Sequence, residues 1–129
     1  MTEQRQLTIA YKALVNLYGK TGIPVRISRE LFLLKRDLEP HVLWQQEQER
    51  KAQQENSDGL DELGNFIMNR EQTERTRERF MEIQKTEVKW RRPPVVFPIS
   101  DQQAAELGIT GRVMDDLYGF VNFTEVEKQ

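Results

Sequence analysis

The chain has 129 residues, of which 37% are hydrophobic and 31% charged, and this composition favours one elongated, helix-rich domain with a modest core. A net charge of −2 gives the protein no overall electrostatic attraction to nucleic acid or membranes, and the absence of cysteine excludes disulfides, thiol catalysis and cysteine metal sites. Residues 1–6 lack the apolar stretch of a signal peptide, and no apolar run reaches about 18 residues. We therefore expect a cytoplasmic protein with no membrane segment.

The first predicted helix covers residues 6–18. Its apolar residues recur at helical spacing, and Gly19 ends it because glycine adopts the left-handed conformation at little cost. The next residues, Gly19-Lys20-Thr21-Gly22, include Gly-Lys-Thr, but the earlier glycine and strand of a phosphate-binding loop are missing. This segment is interpreted as a turn.

The segment 27–56 is predicted to form one long helix, with Ser28 as its N-terminal cap. Its side chains change from amphipathic to polar halfway along the helix. Its first half carries an apolar seam at steps of three and four residues, whereas residues 45–55 are almost entirely polar and are expected to be exposed. Pro40 lies inside the segment, where proline removes a hydrogen bond and clashes with the preceding turn, so a kink or break is predicted there. The seam consists of Ile27, Leu31, Leu34, Leu38 and Val42.

A turn region over residues 57–69 leads to a second charged helix over residues 70–87. Asn69 and Gln72 have the spacing of a capping box, which marks the beginning of that helix. Since a turn joins the two helices and neither can bury its apolar face alone, we expect them to pair antiparallel. The seam of the long helix is expected to pack against residues 7–18 and 70–88.

Residues 88–129 are predicted to contain short helices and strands. Prolines confine residues 95–99 to an edge strand. Ser100 and Gln103 form a second capping box at the beginning of a short helix. A further short helix is predicted over residues 113–118 and a last strand over residues 120–123. The predicted fold is therefore mainly α. It has an antiparallel long-helix hairpin, an N-terminal helix and a small C-terminal α/β segment, in a single domain over residues 1–129.

The sequence contains no pattern typical of an enzyme. The single histidine, His41, lies beside Pro40, and no glycine-flanked serine is present to serve as a nucleophile. Asp115 and Asp116 are adjacent on a helix and diverge by about 100°, so they would not easily share a metal ion. We predict no catalytic residues, no cofactor and no metal site, and the sequence names no specific activity.

Aromatic residues exceed what a thin helical core can bury, which favours a role in protein interaction. Trp44 and Trp90 are the candidate anchors, since large aromatic residues dominate the energetics of many interfaces. Residues 45–55 lack the apolar seam of a coiled coil, but homodimerisation through residues 27–44 is left open. We expect a protein partner, whose identity the sequence does not give.

A nucleic-acid-binding accessory protein is the alternative. Residues 1–44 and 70–92 each carry a formal charge of +3, whereas 45–69 and 93–129 each carry −4. A basic patch could form, with Trp90 available to stack on a base. The alternation of acidic and basic residues over 70–87 is more typical of intrahelical ion pairs. The residues of this candidate patch are Arg26, Arg29, Arg36, Arg91 and Arg92.

Four segments of the chain follow one another in a distinctive order of helices and turns. They are the segment from Leu14 to Arg29 with Gly19-Lys20 and Arg26-x-Ser28-Arg29, then Gly64-Asn65, then Phe80-Met81-Glu82-Ile83 before Glu87-Val88, and last Glu106-Leu107-Gly108-Ile109-Thr110-Gly111 before Leu117. This order resembles a family of small proteins of unknown function encoded by phages and prophages of Gram-positive bacteria. The resemblance implies a phage or prophage origin and a role in the virion, in assembly or in host interaction, and it implies no activity and no site residues.

Overall fold

The computed structural model describes residues 2–126 and shows a mainly α fold, as predicted. Three longer helices account for nearly half of the described residues, and two short helices and four short strands complete the secondary structure of this part of the chain. The helices are α1 (Gln4–Leu17), α2 (Val25–Asn56), α3 (Arg70–Gln84), α4 (Asp101–Leu107) and α5 (Gly111–Asp116). The strands are β1 (Thr2–Glu3), β2 (Glu87–Val88), β3 (Val95–Ile99) and β4 (Val121–Glu125).

Helix α1 runs antiparallel to the first half of α2. At the beginning of α1, the Gln4 side-chain Nε2 donates a hydrogen bond to the main-chain oxygen of His41 at 2.7 Å. At its end, the Ser28 hydroxyl donates to the main-chain oxygen of Tyr18 at 3.2 Å. Ser28 therefore ties α2 to α1 and does not cap α2, which begins earlier than predicted, after Pro24.

Helix α3 runs back along the second half of α2 and completes the predicted hairpin. Gln72 at its beginning donates from Nε2 to the Asp58 carboxylate at 3.0 Å, just past the end of α2. At the other end of α3, the Gln4 main-chain N–H donates to the Thr86 oxygen at 2.8 Å, and β1 pairs antiparallel with β2. The end of α3 is thereby joined to the beginning of α1.

Helix α2 continues through Pro40 without interruption, so of the predicted kink or break at this residue the break is wrong and the kink stays a prediction. Proline removes one main-chain hydrogen bond, but α1 and β3 pack on the first half of the helix and α3 on the second. Packing on both sides of Pro40 keeps the two halves in one helix because helices in proteins owe most of their stability to tertiary contacts.

The main core lies between α1, the first half of α2 and the C-terminal segment. The α2 seam packs against residues 7–18, as expected, and against residues 95–121, which were not expected to cover it. From the predicted segment 70–88, Val88 packs on this core, while α3 covers the second half of α2. The buried core residues are Leu7, Ala10, Leu14, Leu17, Leu31, Leu34, Leu38, Val95, Phe97, Ile99, Ala104, Leu107, Ile109, Leu117, Phe120 and Val121.

The polar half of α2 is not uniformly exposed. Gln45 and Ala52 are buried, together with Thr76 and Ile83 of α3. The prediction that residues 45–55 are exposed is therefore wrong for the residues that face α1 and α3. It holds for the side of the helix that includes Arg50.

The C-terminal segment is a strand–helix–helix–strand unit in which β3 and β4 pair in parallel, from Val95 opposite Val121 to Ile99 opposite Glu125. Inward and outward side chains alternate along β3, as expected for a strand that covers a core with one face. Both predicted capping boxes are present, at Asn69 and at Ser100. Helix α3 ends earlier than predicted, and the last short helix begins and ends two residues earlier than predicted. No helix within residues 2–126 is long and apolar enough to cross a membrane.

Candidate functional site

Trp90 is packed into the edge of the core. Its ring lies edge-on to His41, with ring centroids 5.8 Å apart, and 5.7 Å from the ring of Phe120. Its indole Nε1 is buried and has no hydrogen-bond partner within residues 2–126. Trp90 therefore joins α2 to the C-terminal segment and does not provide an exposed anchor.

The five arginines of the predicted basic patch are not equivalent in the structure. Arg92 forms an ion pair with Asp37 of α2, which holds the segment after β2 against the helix and neutralises one charge of the patch. Arg26 lies 4.0 Å from Glu30. Arg29, Arg36 and Arg91 are exposed and have no ion-pair partner within residues 2–126.

Arg29 and Arg36 belong to a larger exposed surface, which we call the outer α2 face. Its members lie within about 80° of one another around the helix axis, since a residue turns by 100° per position. This face points away from the seam that packs into the core. The outer α2 face consists of Val25, Arg29, Phe32, Arg36, Pro40 and Leu43.

Three apolar side chains alternate with the arginines along the outer α2 face. Val25 is 85% exposed, Phe32 47% and Leu43 56%. Val25 and Leu43 are eighteen residues apart, which is five full turns and about 27 Å along the helix axis. Single exposed apolar residues are common on protein surfaces, whereas these three are aligned on one face of a single helix.

Trp44 lies next to Leu43 at the margin of the outer α2 face and is 43% exposed. Its role as an interface anchor stays a prediction. Of the two tryptophans, it is the one with substantial exposed surface.

The charges on and beside the outer α2 face differ along the helix. The first half presents Arg29 and Arg36, whereas Glu39 lies at one margin and Glu47 one turn beyond Leu43. Glu47 accepts two hydrogen bonds from Arg50, at 2.6 and 3.0 Å, and these bonds lower the pKa of its carboxyl group. Arg50 is exposed and shares the angular position of Phe32, so Glu47 and Arg50 together add no net charge to this end of the face.

A second surface feature is a groove of about 610 Å³ between α1 and α2, lined in part by Thr8, Tyr11, Val15 and Val42. One of its walls is formed by the side chain of Gln45. The polar atoms of Gln45 already bond within the chain, to Gln4, Thr8 and Glu49. The polar atoms of Gln45 are therefore already occupied, and this wall of the groove provides mainly apolar contact for a ligand.

The residues considered for catalysis have structural or solvated positions. His41 packs against Trp90, and within residues 2–126 no group of three or more His, Asp or Glu side chains could hold a metal ion. In the Gly-Lys-Thr turn, the Lys20 ammonium donates to the main-chain oxygen of Leu107 at 2.6 Å. This bond ties the end of α1 to the end of α4, as expected for a structural turn.

The sequence analysis identified Arg29, Arg36 and Trp44 but missed Phe32 and Leu43. Both missed residues lie off the seam of α2, at positions where an amphipathic helix normally carries polar side chains. Their position on the helix opposite the seam was the available signal.

No protein-family model matches the chain, and neither a curated protein nor a solved structure matches it. The resemblance to phage-encoded proteins therefore stays a prediction.

Proposed function

We propose that this protein is a non-enzymatic protein-interaction module that binds its partner through the outer α2 face. The observation that carries the proposal is the alignment of Val25, Phe32 and Leu43, each about half exposed or more, on one side of a continuous helix. Partner helices that bind in this way are recognised by apolar residues at helical spacing.

The outer α2 face is well suited to docking because the opposite side of the same helix is fixed. Leu31, Leu34 and Leu38 are fully buried in the core, so the backbone beneath the outer face is held rigid. A rigid surface loses little conformational entropy on binding. The resemblance to phage-encoded proteins adds an expected setting, as a virion, assembly or host-interaction accessory.

The proposal is tested by affinity capture with the full chain and a double variant, Phe32→Glu with Leu43→Glu. The two carboxylates place charge where the partner's apolar groups must pack, so we expect the captured protein to be lost. Met81→Glu is the matched control, because Met81 is a helical residue with a similar exposed fraction, 48%, on α3. A partner retained equally by the double variant and by the Met81 variant contradicts the proposal.

Nucleic-acid binding is the second candidate function, favoured by the exposed Arg29, Arg36 and Arg91, which form no ion pair within residues 2–126. Against it, the neighbouring Arg26 and Arg92 lie close to carboxylates. If it holds, affinity for a single-stranded oligonucleotide falls steeply with salt and the slope decreases when Arg29 and Arg36 are changed to Gln. No binding at low salt, or a flat salt response, excludes it.

A further inference from the structure

We propose that the outer α2 face is covered by α2 of a second copy of this chain, packed antiparallel about a two-fold axis near residues 37 and 38. This inference rests on the proposed function and names the partner of the same surface. Two-fold pairs are the commonest protein oligomers, and each contact in such a pair occurs twice.

The positions of Phe32 and Leu43 on the outer α2 face determine where the two-fold axis lies. In an antiparallel two-fold pair, residues at equal distances on either side of the axis meet across the interface. Phe32 lies five and a half positions before the midpoint of residues 37 and 38, and Leu43 lies five and a half positions after it. Each Phe32 is therefore placed against Leu43 of the second copy, and Trp44 extends the same contact.

The charges are complementary in the same register. Arg36 and Glu39 are equidistant from the midpoint, and Arg29 and Glu47 are equidistant to within one residue. Arg29 and Glu47 are eighteen residues apart and so share one angular position on the helix. Arg36 of each copy thus lies against Glu39 of the other, and Arg29 lies near the Glu47–Arg50 pair. Complementary charges of this kind set the register of helix pairs.

Glu47 can take part although it already bonds to Arg50. A carboxylate has two oxygens and about four acceptor positions, and both bonds from Arg50 leave capacity for a second arginine. The Glu47 side chain is 46% exposed, so it is accessible to Arg29 of the second copy.

Other pairings of the face are less favourable. A parallel pair would place each Arg29 and Arg36 beside its own counterpart, which is repulsive. A nucleic acid would gain from the arginines, but Glu39 and Glu47 would repel its phosphates. Pro40, close to the axis and exposed, presents an apolar ring there.

The first test is the solution mass of the full chain by sedimentation equilibrium, with charge-swapped variants. We expect the 15.3 kDa chain to form a dimer in a concentration-dependent manner. Arg29→Glu and Glu47→Arg each place like charges at two contacts, so each is expected to raise the dissociation constant by about tenfold. The double variant restores the opposite-charge contacts and is expected to return to within about threefold of the natural chain.

The second test uses the absence of cysteine in the chain to determine register. An equimolar mixture of Phe32→Cys and Leu43→Cys chains is expected to form a disulfide-linked pair under mild oxidation. Phe32→Cys alone, and a Met81→Cys control mixed with Leu43→Cys, are expected to remain largely uncrosslinked. Circular dichroism of every variant checks that its helices are intact.

Any of three results overturns the inference. The chain stays monomeric, or it forms a dimer that none of these charge changes weakens, or Phe32→Cys cross-links to itself. If the chain is monomeric but the Phe32/Leu43 double variant still loses a captured protein, the proposed function stands with a different partner. If the chain is monomeric and capture is also unaffected by that variant, the proposed function falls as well.

Discussion

Gln45 shows how a single polar residue determines where two helices meet. It is buried between α1 and α2, where its Oε1 accepts a hydrogen bond from the Thr8 hydroxyl at 2.5 Å and a longer one from Gln4 Nε2 at 3.3 Å. Its own Nε2 donates to Glu49 at 2.8 Å. Because these hydrogen bonds offset the cost of removing the amide from water, a glutamine is tolerated at this contact.

Replacing Gln45 with Ala is expected to lower the free energy of unfolding by about 1–3 kcal/mol, because the Thr8 hydroxyl loses its short hydrogen bond in a buried site. Urea denaturation monitored by circular dichroism measures the change. Gln46→Ala is the control, because Gln46 is exposed and its replacement is expected to change the free energy of unfolding by no more than about 0.5 kcal/mol. Equal effects of the two substitutions would mean that the buried network contributes nothing to stability.

At the scale of one element, α2 combines three different environments in 32 residues. Its seam packs into the main core, its second half is covered by α3, and its outer face is exposed. Pro40 lies on the exposed side, where water can satisfy the main-chain oxygen of Arg36 that the proline leaves without a donor. The position of the proline on this side explains how the helix accommodates it.

Pro40→Ala is expected to raise the free energy of unfolding by about 1–3 kcal/mol. The restored N–H can bond to Arg36, and this gain exceeds the roughly 0.4–1 kcal/mol by which proline restricts the unfolded chain. Thermal and urea denaturation at low protein concentration measure it without a contribution from association. Pro24→Ala, at the position before α2, should give no such gain. Unchanged or lower stability of the Pro40 variant would show that contacts of its ring outweigh the missing hydrogen bond.

At the scale of the whole molecule, buried apolar residues are distributed unevenly. The main core draws on α1, the first half of α2 and the C-terminal segment. Beyond Gln45, the α2–α3 hairpin buries only Ala52, Thr76 and Ile83 within the described chain. The exposed ion pairs Arg75–Glu71 and Arg79–Glu82 lie within α3, and each contributes little to stability.

Hydrogen exchange is therefore expected to be faster in the hairpin than in the core. Amides of residues 48–56 and 70–80 should exchange at least about tenfold faster than those of 7–17 and 30–38, because local opening of the hairpin exposes less apolar surface than opening of the core. Mass-spectrometric exchange of the full chain measures both regions together. Uniform protection would instead indicate that the molecule opens only as one cooperative unit.

Sequence alone was sufficient for the features that depend on neighbours within a few residues. Both capping boxes, the three main helices and the strand over 95–99 follow from side-chain hydrogen bonds three residues apart and from apolar periodicity. For the candidate site, the same local signals identified Arg29, Arg36 and Trp44 on α2. They did not identify Phe32 and Leu43, whose exposure depends on which elements cover the helix.

Only the tertiary structure decided what each buried face packs against. The α2 seam packs on β3, Gln45 is buried against α1, Trp90 is packed against His41, and Arg92 is neutralised by Asp37. The side-chain contacts of Gln45, Trp90 and Arg92 join residues from 37 to 55 positions apart in the sequence. Periodicity shows that a face must be covered but not which distant segment covers it, because many apolar segments of similar size could do so.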